Sequence, residues 1–246
     1  MAALFVKGWL PRPDVLIYSQ QACDSSVKSG ALLKELYGPP AFFLERPYRP
    51  TLPQAEYYAR ELAEMVSFLQ GATGHRLDMD RLAQVMESSC RQVELHRAIY
   101  RLRACVPTPF PNRRGCQMVN VYWLASGTPE AAAYFQAVHD EAQALVAAGR
   151  GAVAEARFRL MTRFNPPTHN WKLLDWLQKE HGASIVANPY YHHWGEWEFD
   201  PADPFLSLAL KFFATPVMRQ MHGPVTEAVA DSVADAIAHG AEGAIY

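Results

Sequence analysis

Several motifs that mark nucleotide or acyl-enzyme chemistry are missing from this chain of 246 residues. No G-x-G-x-x-G follows a predicted strand and no G-x-x-x-x-G-K-S/T occurs, so the sequence supports neither nicotinamide binding nor a P-loop. A G-x-S-x-G nucleophile elbow, the usual sign of an acyl hydrolase, is missing as well. We therefore expect the chain to contribute neither a nucleotide site nor a nucleophilic serine.

Charge of one sign and long apolar runs are also lacking. The 23 basic and 25 acidic residues nearly balance, the sequence pI is near 6.5 and no block of like charge occurs. Such a chain has no electrostatic footprint for nucleic acid, and we expect no nucleic-acid partner. The apolar run Ala2–Val6 is too short for a signal peptide, and no later run could span a membrane. We expect no membrane partner and a cytoplasmic protein.

Cysteine is scarce too, with four residues in the whole chain. None of them forms a C-x-x-C pair, and no secretion signal accompanies them. This pattern favours free thiols or metal ligands over a disulfide framework.

The stretch 14–48 predicts a strand, a turn, a helix and a second strand. Val15–Tyr18 is a continuous apolar run of the kind buried in parallel sheets. Gly38 and the prolines after it end the helix before the second apolar run, Ala41–Leu44. Cys23 then follows the first strand and directly precedes the helix, where ligands of open α/β sheets collect and a thiolate is favoured. A small buried thiol in a turn is the alternative for this cysteine.

A second stretch, 156–190, repeats this order at the same length. It ends in Asn-Pro-Tyr where the first ends in Arg-Pro-Tyr, and Asn165 occupies the place of Cys23. We therefore predict an α/β fold with two related α/β units that contain parallel strands, separated by a helical segment. The expected boundaries are 1–50 for a partial first unit, 51–150 for the helical segment and 151–246 for a second unit that is incomplete at its C-terminus.

Helical periodicity dominates the segment between the units. One helix is predicted from Thr51 to about Gln70, and a longer one from Asp78 or Asp80 is expected to pair with it in antiparallel fashion. The apolar stretch 115–124 is predicted to be a strand or a buried loop. Later in the chain, the last helix carries Val225, Val229, Val233 and Ile237 on one side.

The loop HHWGEWEFD follows the last predicted strand of the second unit. His192, His193 and Glu196 there combine imidazole and carboxylate groups, but not in the H-E-x-x-H spacing of zinc proteases. The tyrosines and tryptophans around them indicate a packed loop instead. His222, in front of Gly-Pro at a helix start, either contacts an acyl or phosphate oxygen or fixes the loop. His96, on an apolar helix stripe, is expected to lie in the core.

Five segments together resemble the benzoyl-CoA reductase and 2-hydroxyacyl-CoA dehydratase family, and within it the B-type subunits of the reductase branch. They are the Cys-Asp turn, ERPY, ATGHRLDMDRL, LLDWLQKEHGASIVANPYYHHWGEWEFDP and MHGP. The resemblance implies two homologous sister subunits, each with a [4Fe-4S] cluster. It also implies an ATP-hydrolysing iron-sulfur activator that supplies a low-potential electron, which passes to a CoA thioester substrate to make a ketyl-type radical.

The resemblance also implies roles for individual residues. Cys23 matches a cluster cysteine, His192, His193 and Glu196 fall in the catalytic loop, and Trp194 and His222 are expected to contact substrate. Family members extend further at both ends and carry ligand cysteines there, whereas Cys90, Cys105 and Cys116 do not match ligand positions. We therefore expect that this chain alone does not hold a stable cluster, and that it is a fragment, a split gene product or a degenerate copy.

The function expected from this resemblance is a subunit, or part of one, of a [4Fe-4S] enzyme. That enzyme would reduce an aryl- or acyl-CoA thioester by ATP-driven single-electron transfer, as benzoyl-CoA reductases do. A 2-hydroxyacyl-CoA dehydratase subunit is one alternative. A non-catalytic α/β scaffold that has lost its cluster is the other.

Overall fold

A computed structural model describes residues 2–20, 23–153, 156–163, 165, 167 and 169–246. The first part of the chain contains α1 (Ala2–Val6), β1 (Leu16–Ser19), α2 (Asp24–Tyr37) and β2 (Ala41–Leu44). The central part contains α3 (Leu52–Thr73), α4 (Met79–Leu102), α5 (Asn112–Ala125) and α6 (Pro129–Ala147). The last part contains β3 (Phe158–Thr162), α7 (Lys172–His181), β4 (Ala183–Ala187), α8 (Pro189–His192), α9 (Pro204–Ala214), α10 (Pro216–His222), α11 (Val225–Ala238) and β5 (Gly243–Ile245).

Both predicted units are present as strand, helix and strand with parallel pairing. In the first, β1 pairs with β2 from Leu16 opposite Ala41 to Ser19 opposite Leu44. In the second, β3 lies between β4 and β5 and is parallel to both. The predicted α/β fold class, with two units around a helical segment, is confirmed.

A glycine contact fixes the packing of α2 on β1. Gly30 is buried, and a Cβ atom on it would lie 2.4 Å from the ring of Tyr18. Because no side chain fits in this gap, glycine allows the helix to approach the strand closely. The helix ends at Gly38, whose φ of 62° is left-handed, as in common helix C-caps.

The helical segment differs from the sequence prediction in two ways. The antiparallel pairing of α3 with α4 is wrong, because α3 packs against α9, with Tyr58 on Phe212 and Phe213, while α4 packs against α6. The stretch 115–124 is neither a strand nor a loop but part of α5. At the start of α5, the Asn112 amide bonds to the backbone of β4 at Ala183 and Ile185, which ties this helix to the second sheet.

The helix α11 has its apolar and polar sides arranged against the usual pattern. Asp231 and Asp235 are buried, whereas the stripe of valine and isoleucine side chains is at least half exposed. The stripe consists of Val225, Val229, Val233 and Ile237. The carboxylates of α11 therefore face the interior, where they help to build the site described next. Within the described residues, no helix is long and apolar enough to cross a bilayer.

Candidate functional site

The loop after β4 starts at the carboxyl ends of β3 and β4. Asn188 is fully buried there: its side-chain oxygen accepts from the Tyr191 backbone N–H at 3.2 Å, and its amide donates to the Thr162 hydroxyl at 2.8 Å. This cap starts the short helix α8 and turns the chain toward the helical segment. The loop is then held by its backbone at Gly195, which donates to the Ala214 carbonyl at 2.8 Å.

His192 lies behind the loop, in a buried chain of hydrogen bonds. The Trp194 indole donates to Nδ1 of His96 at 2.8 Å, and Nε2 of His96 lies 2.8 Å from Nδ1 of His192. An indole N–H can only donate, so Nδ1 of His96 accepts and its Nε2 carries the proton that bonds His192. Burial lowers the pKa of His96 to about 3, and burial with the nearby Arg103 and His96 lowers the pKa of His192 well below its usual value. Both imidazoles are neutral near pH 7.

His193 has the opposite environment. Its Nδ1 lies 2.8 Å from Asp235 and its Nε2 lies 3.2 Å from Asp231. Burial acts to lower its pKa, but the hydrogen bonds to Asp231 and Asp235 outweigh burial and raise the pKa to about 9. His193 is therefore an imidazolium at neutral pH, held by two carboxylates of α11.

Both carboxylates have further donors. Asp231 accepts two bonds from the Arg219 guanidinium, at 3.0 and 3.1 Å, and one from Gln220 at 2.8 Å. Burial would raise the pKa of Asp231, but His193 and Arg219 lower the pKa to about 2. Asp235 accepts the buried Tyr100 hydroxyl at 2.5 Å. The two carboxylates thus remain ionised partners of His193 and orient its ring.

A cavity of about 530 Å³ opens beside this cluster. His193, Trp194, Glu196 and Arg219 are among the residues that line it. His193 is 24% exposed and Glu196 is exposed, so the cavity brings a cation and a free carboxylate to the same solvent-accessible space. An apolar wall with a few convergent polar groups, one of them with a shifted pKa, is the usual form of a small-molecule site.

The structure therefore sorts the residues predicted from the sequence. It brings His193, Trp194 and Glu196 together at the cavity, and it places His192 in the core with His96. His222 is half-buried at the end of α10 and does not line this cavity.

Cys23 lies at the first sheet, in an exposed position directly before α2. A hydrogen bond from the Ser26 backbone, with a second from the Ser25 side chain, lowers the pKa of this thiol. It lines a separate cavity of about 490 Å³ with residues of β1 and α2.

The two equivalent turn positions nevertheless converge on one place. Burial raises the pKa of Tyr190, and the nearby Cys23 adds to this shift, so Cys23 lies within electrostatic reach of that hydroxyl. Asn165, its counterpart in the second unit, accepts a hydrogen bond from Tyr191. The carboxyl edges of both sheets thus approach the same tyrosine pair.

The fit of a [4Fe-4S] cluster can be tested against these positions. Such clusters are usually bound by four cysteine thiolates. Among the residues that the structure describes, no group of three or more His, Cys, Asp or Glu side chains could hold a metal ion. Cys90 and Cys105 are partly buried and Cys116 is buried, and none of them joins Cys23 in such a group. The described residues do not fit a complete cluster site.

Sequence reasoning missed the residues that charge His193. They are Arg219 of α10 and Asp231 and Asp235 of α11. The available signal was the four-residue spacing of the two aspartates, which places both on one helix face opposite the valine stripe.

Two comparisons with known proteins bear on this arrangement. The sequence model of the family described as "2-hydroxyglutaryl-CoA dehydratase, D-component" matches residues 2–246. The chain is also similar to the B-type subunit of the benzoyl-CoA reductase from Thauera aromatica, with 24% identity over 221 residues, or 81% of this chain. The chain spans about half the length of that relative, since the match covers 50% of it.

Proposed function

Because the chain belongs to the 2-hydroxyglutaryl-CoA dehydratase D-component family, we propose that it is a subunit, or part of one, of an enzyme that reduces a CoA thioester by ATP-driven single-electron transfer. The similarity to a benzoyl-CoA reductase subunit favours an aryl-CoA substrate and ring reduction. The proposed partners are a homologous sister subunit and an ATP-hydrolysing iron-sulfur activator, in the cytoplasm.

The observation that carries this proposal is the imidazolium of His193 at the cavity. When a thioester carbonyl gains one electron, negative charge develops on its oxygen, and a positioned cation or acid nearby lowers the free energy of that state. His193 is cationic at neutral pH and partly exposed to the cavity. We assign it the role of hydrogen-bond and proton donor to that oxygen.

Both N–H groups of His193 contact carboxylates, so the substrate oxygen must replace one of them. The longer contact is the 3.2 Å one between Nε2 and Asp231. Asp231 keeps Arg219 and Gln220 as partners when it releases Nε2. Asp235 holds Nδ1 and is itself held by Tyr100, so the ring keeps its orientation while Nε2 turns to the substrate.

The other predicted residues support this geometry. Trp194 forms a wall of the cavity and is fixed by its bond to His96, and Glu196 at the rim can exchange a proton with substrate or solvent. We assign His192 a positioning role, because it is buried and neutral. His222 follows Arg219 by one turn on α10 and is proposed to contact the substrate beyond the cavity. We propose that Cys23 contributes one thiolate to a [4Fe-4S] cluster whose other ligands are not among the described residues.

A second candidate is the dehydration of a 2-hydroxyacyl-CoA, which the description of the matching family favours. The two reactions share the charged thioester oxygen and differ in their products. The test is to purify the assembled enzyme with its partners and supply ATP, a strong reductant and either benzoyl-CoA or a 2-hydroxyacyl-CoA.

A ring-reduced thioester as the product supports the reductase assignment, and an enoyl-CoA supports the dehydratase assignment. If neither thioester is converted by an assembly that contains the activator, the enzymatic proposal is wrong. The chain is then a scaffold subunit.

A further inference from the structure

A second, smaller cavity lies between α4 and α9, away from His193. Its volume is about 200 Å³, and it shares no lining residue with the cavity at His193. Its walls are mostly apolar and come from Leu82, Val85, Met86, Leu208 and Trp197. One end is polar and consists of Lys211, Ser89 and Ser126.

The polar end contains a cation without a carboxylate partner. The Lys211 ammonium donates to the Ser89 hydroxyl, which lies 3.3 Å from the Ser126 hydroxyl. It also lies 5.5 Å from the Trp197 ring centre and 5.9 Å from that of Tyr122. None of the ion pairs found within the described ranges includes Lys211.

An unpaired cation of this kind is costly to a fold. Removing an ammonium from water is unfavourable unless an opposite charge compensates it. In agreement, burial lowers the pKa of Lys211 to about 8. A methionine would pack against the same aromatic rings without this cost. The cation therefore calls for an explanation beyond packing, and an anionic ligand supplies the missing charge.

We propose that this cavity is a binding site for a small monocarboxylate with a compact aromatic or branched apolar tail. The carboxylate would pair with Lys211 and accept from the serine hydroxyls, in the geometry that makes charge-assisted hydrogen bonds strong. The tail would fill the apolar walls. At interior packing density, this volume holds on the order of ten non-hydrogen atoms, about the size of benzoate.

Two other ligand types fit less well. A phosphate would meet a single ammonium and would leave its remaining oxygens against apolar walls, where unpaired polar groups are unfavourable. A CoA thioester is too large for a cavity of about 200 Å³. The site is therefore distinct from the proposed thioester cavity, although Trp197 lies in the same loop as Trp194.

The test is calorimetric titration of the purified full-length chain with benzoate. We expect saturable binding at one site, at least about tenfold weaker binding to Lys211→Met, and unchanged binding to Lys172→Met, which removes an exposed lysine of α7. Neutral benzamide should bind at least about tenfold more weakly than benzoate.

A variant that leaves the cation in place guards against a folding artefact. Leu82→Phe at the cavity wall should also weaken benzoate binding, while circular dichroism and the melting temperature show that each variant is folded. Absence of saturable benzoate binding would overturn the proposal. So would equal affinity in Lys211→Met and wild type, or inorganic phosphate that displaces benzoate at equal concentration.

Discussion

His192 and His193 are neighbours in the chain, yet their side chains have opposite protonation states. His192 is neutral because it is buried beside Arg103 and His96, and His193 is charged because two carboxylates hold it. The sequence places both in one loop but cannot show which faces the core, because their partners come from α4 and α11. Two adjacent titratable groups with divergent pKa values can divide acid and positioning roles between them.

The raised pKa of His193 predicts a pH-dependent stability. The folded-state pKa is about 9, above the value of about 6.5 for an unfolded histidine. The stabilisation is therefore complete below about pH 6.5 and is lost as the pH rises through 9. After allowance for partial exposure, we expect a loss of about 2 kcal/mol in the free energy of unfolding.

Urea unfolding of wild type and His193→Gln at several pH values measures this difference. The gap between the two proteins should shrink between about pH 6.5 and pH 9.5. A gap that stays constant over this range would show that His193 is not held as an imidazolium.

At the scale of elements, the two β-α-β units were predictable and their neighbours were not. Continuous apolar runs, glycine stops and matched lengths are local signals, and they located β1, β2, β3 and β4 within a few residues. The pairing of α3 with α9 depends on contacts between Tyr58 and side chains more than 150 positions away, and periodicity carries no information about such partners.

The packing of α2 on β1 predicts opposite effects for two glycine substitutions. Gly30→Ala should destabilise the fold by about 1 to 3 kcal/mol, since its Cβ would overlap the Tyr18 ring. The matched control, Gly71→Ala in α3, meets no atom within 4 Å and should be neutral or stabilising by up to about 1 kcal/mol. Chemical denaturation measures both, and equal effects would contradict the close contact between α2 and β1.

The orientation of α11 gives a second pair of expectations. Val229→Lys, on the exposed stripe, should change the free energy of unfolding by less than about 0.5 kcal/mol. Asp235→Ala should cost about 3 kcal/mol, because it removes the acceptor of Tyr100 and one partner of the buried His193 charge. Thermal or urea unfolding distinguishes them. A large loss in Val229→Lys with a small one in Asp235→Ala would mean that the helix presents its valine face to the core.

At the scale of the whole molecule, the sequence predicted the fold class and the loop of the site, but not the charges that define the site. Local patterns placed Trp194 and Glu196 after a strand, and both line the cavity. Asp231 and Asp235 follow that loop by more than 30 positions, and only the folded chain shows that they face His193. The approach of Cys23 and Asn165 to Tyr190 and Tyr191 likewise depends on how the two units meet.

The central claim is that His193 donates to the reduced thioester oxygen. The most direct measurement is the kcat and KM of the assembled enzyme with its CoA thioester, for wild type, His193→Gln and the exposed control His75→Gln. We predict that His193→Gln lowers kcat by about 100-fold with little change in KM, because the contact strengthens as charge develops, and that His75→Gln has wild-type kinetics. A His193→Gln enzyme that is assembled and folded and keeps kcat within about twofold of wild type would contradict the claim.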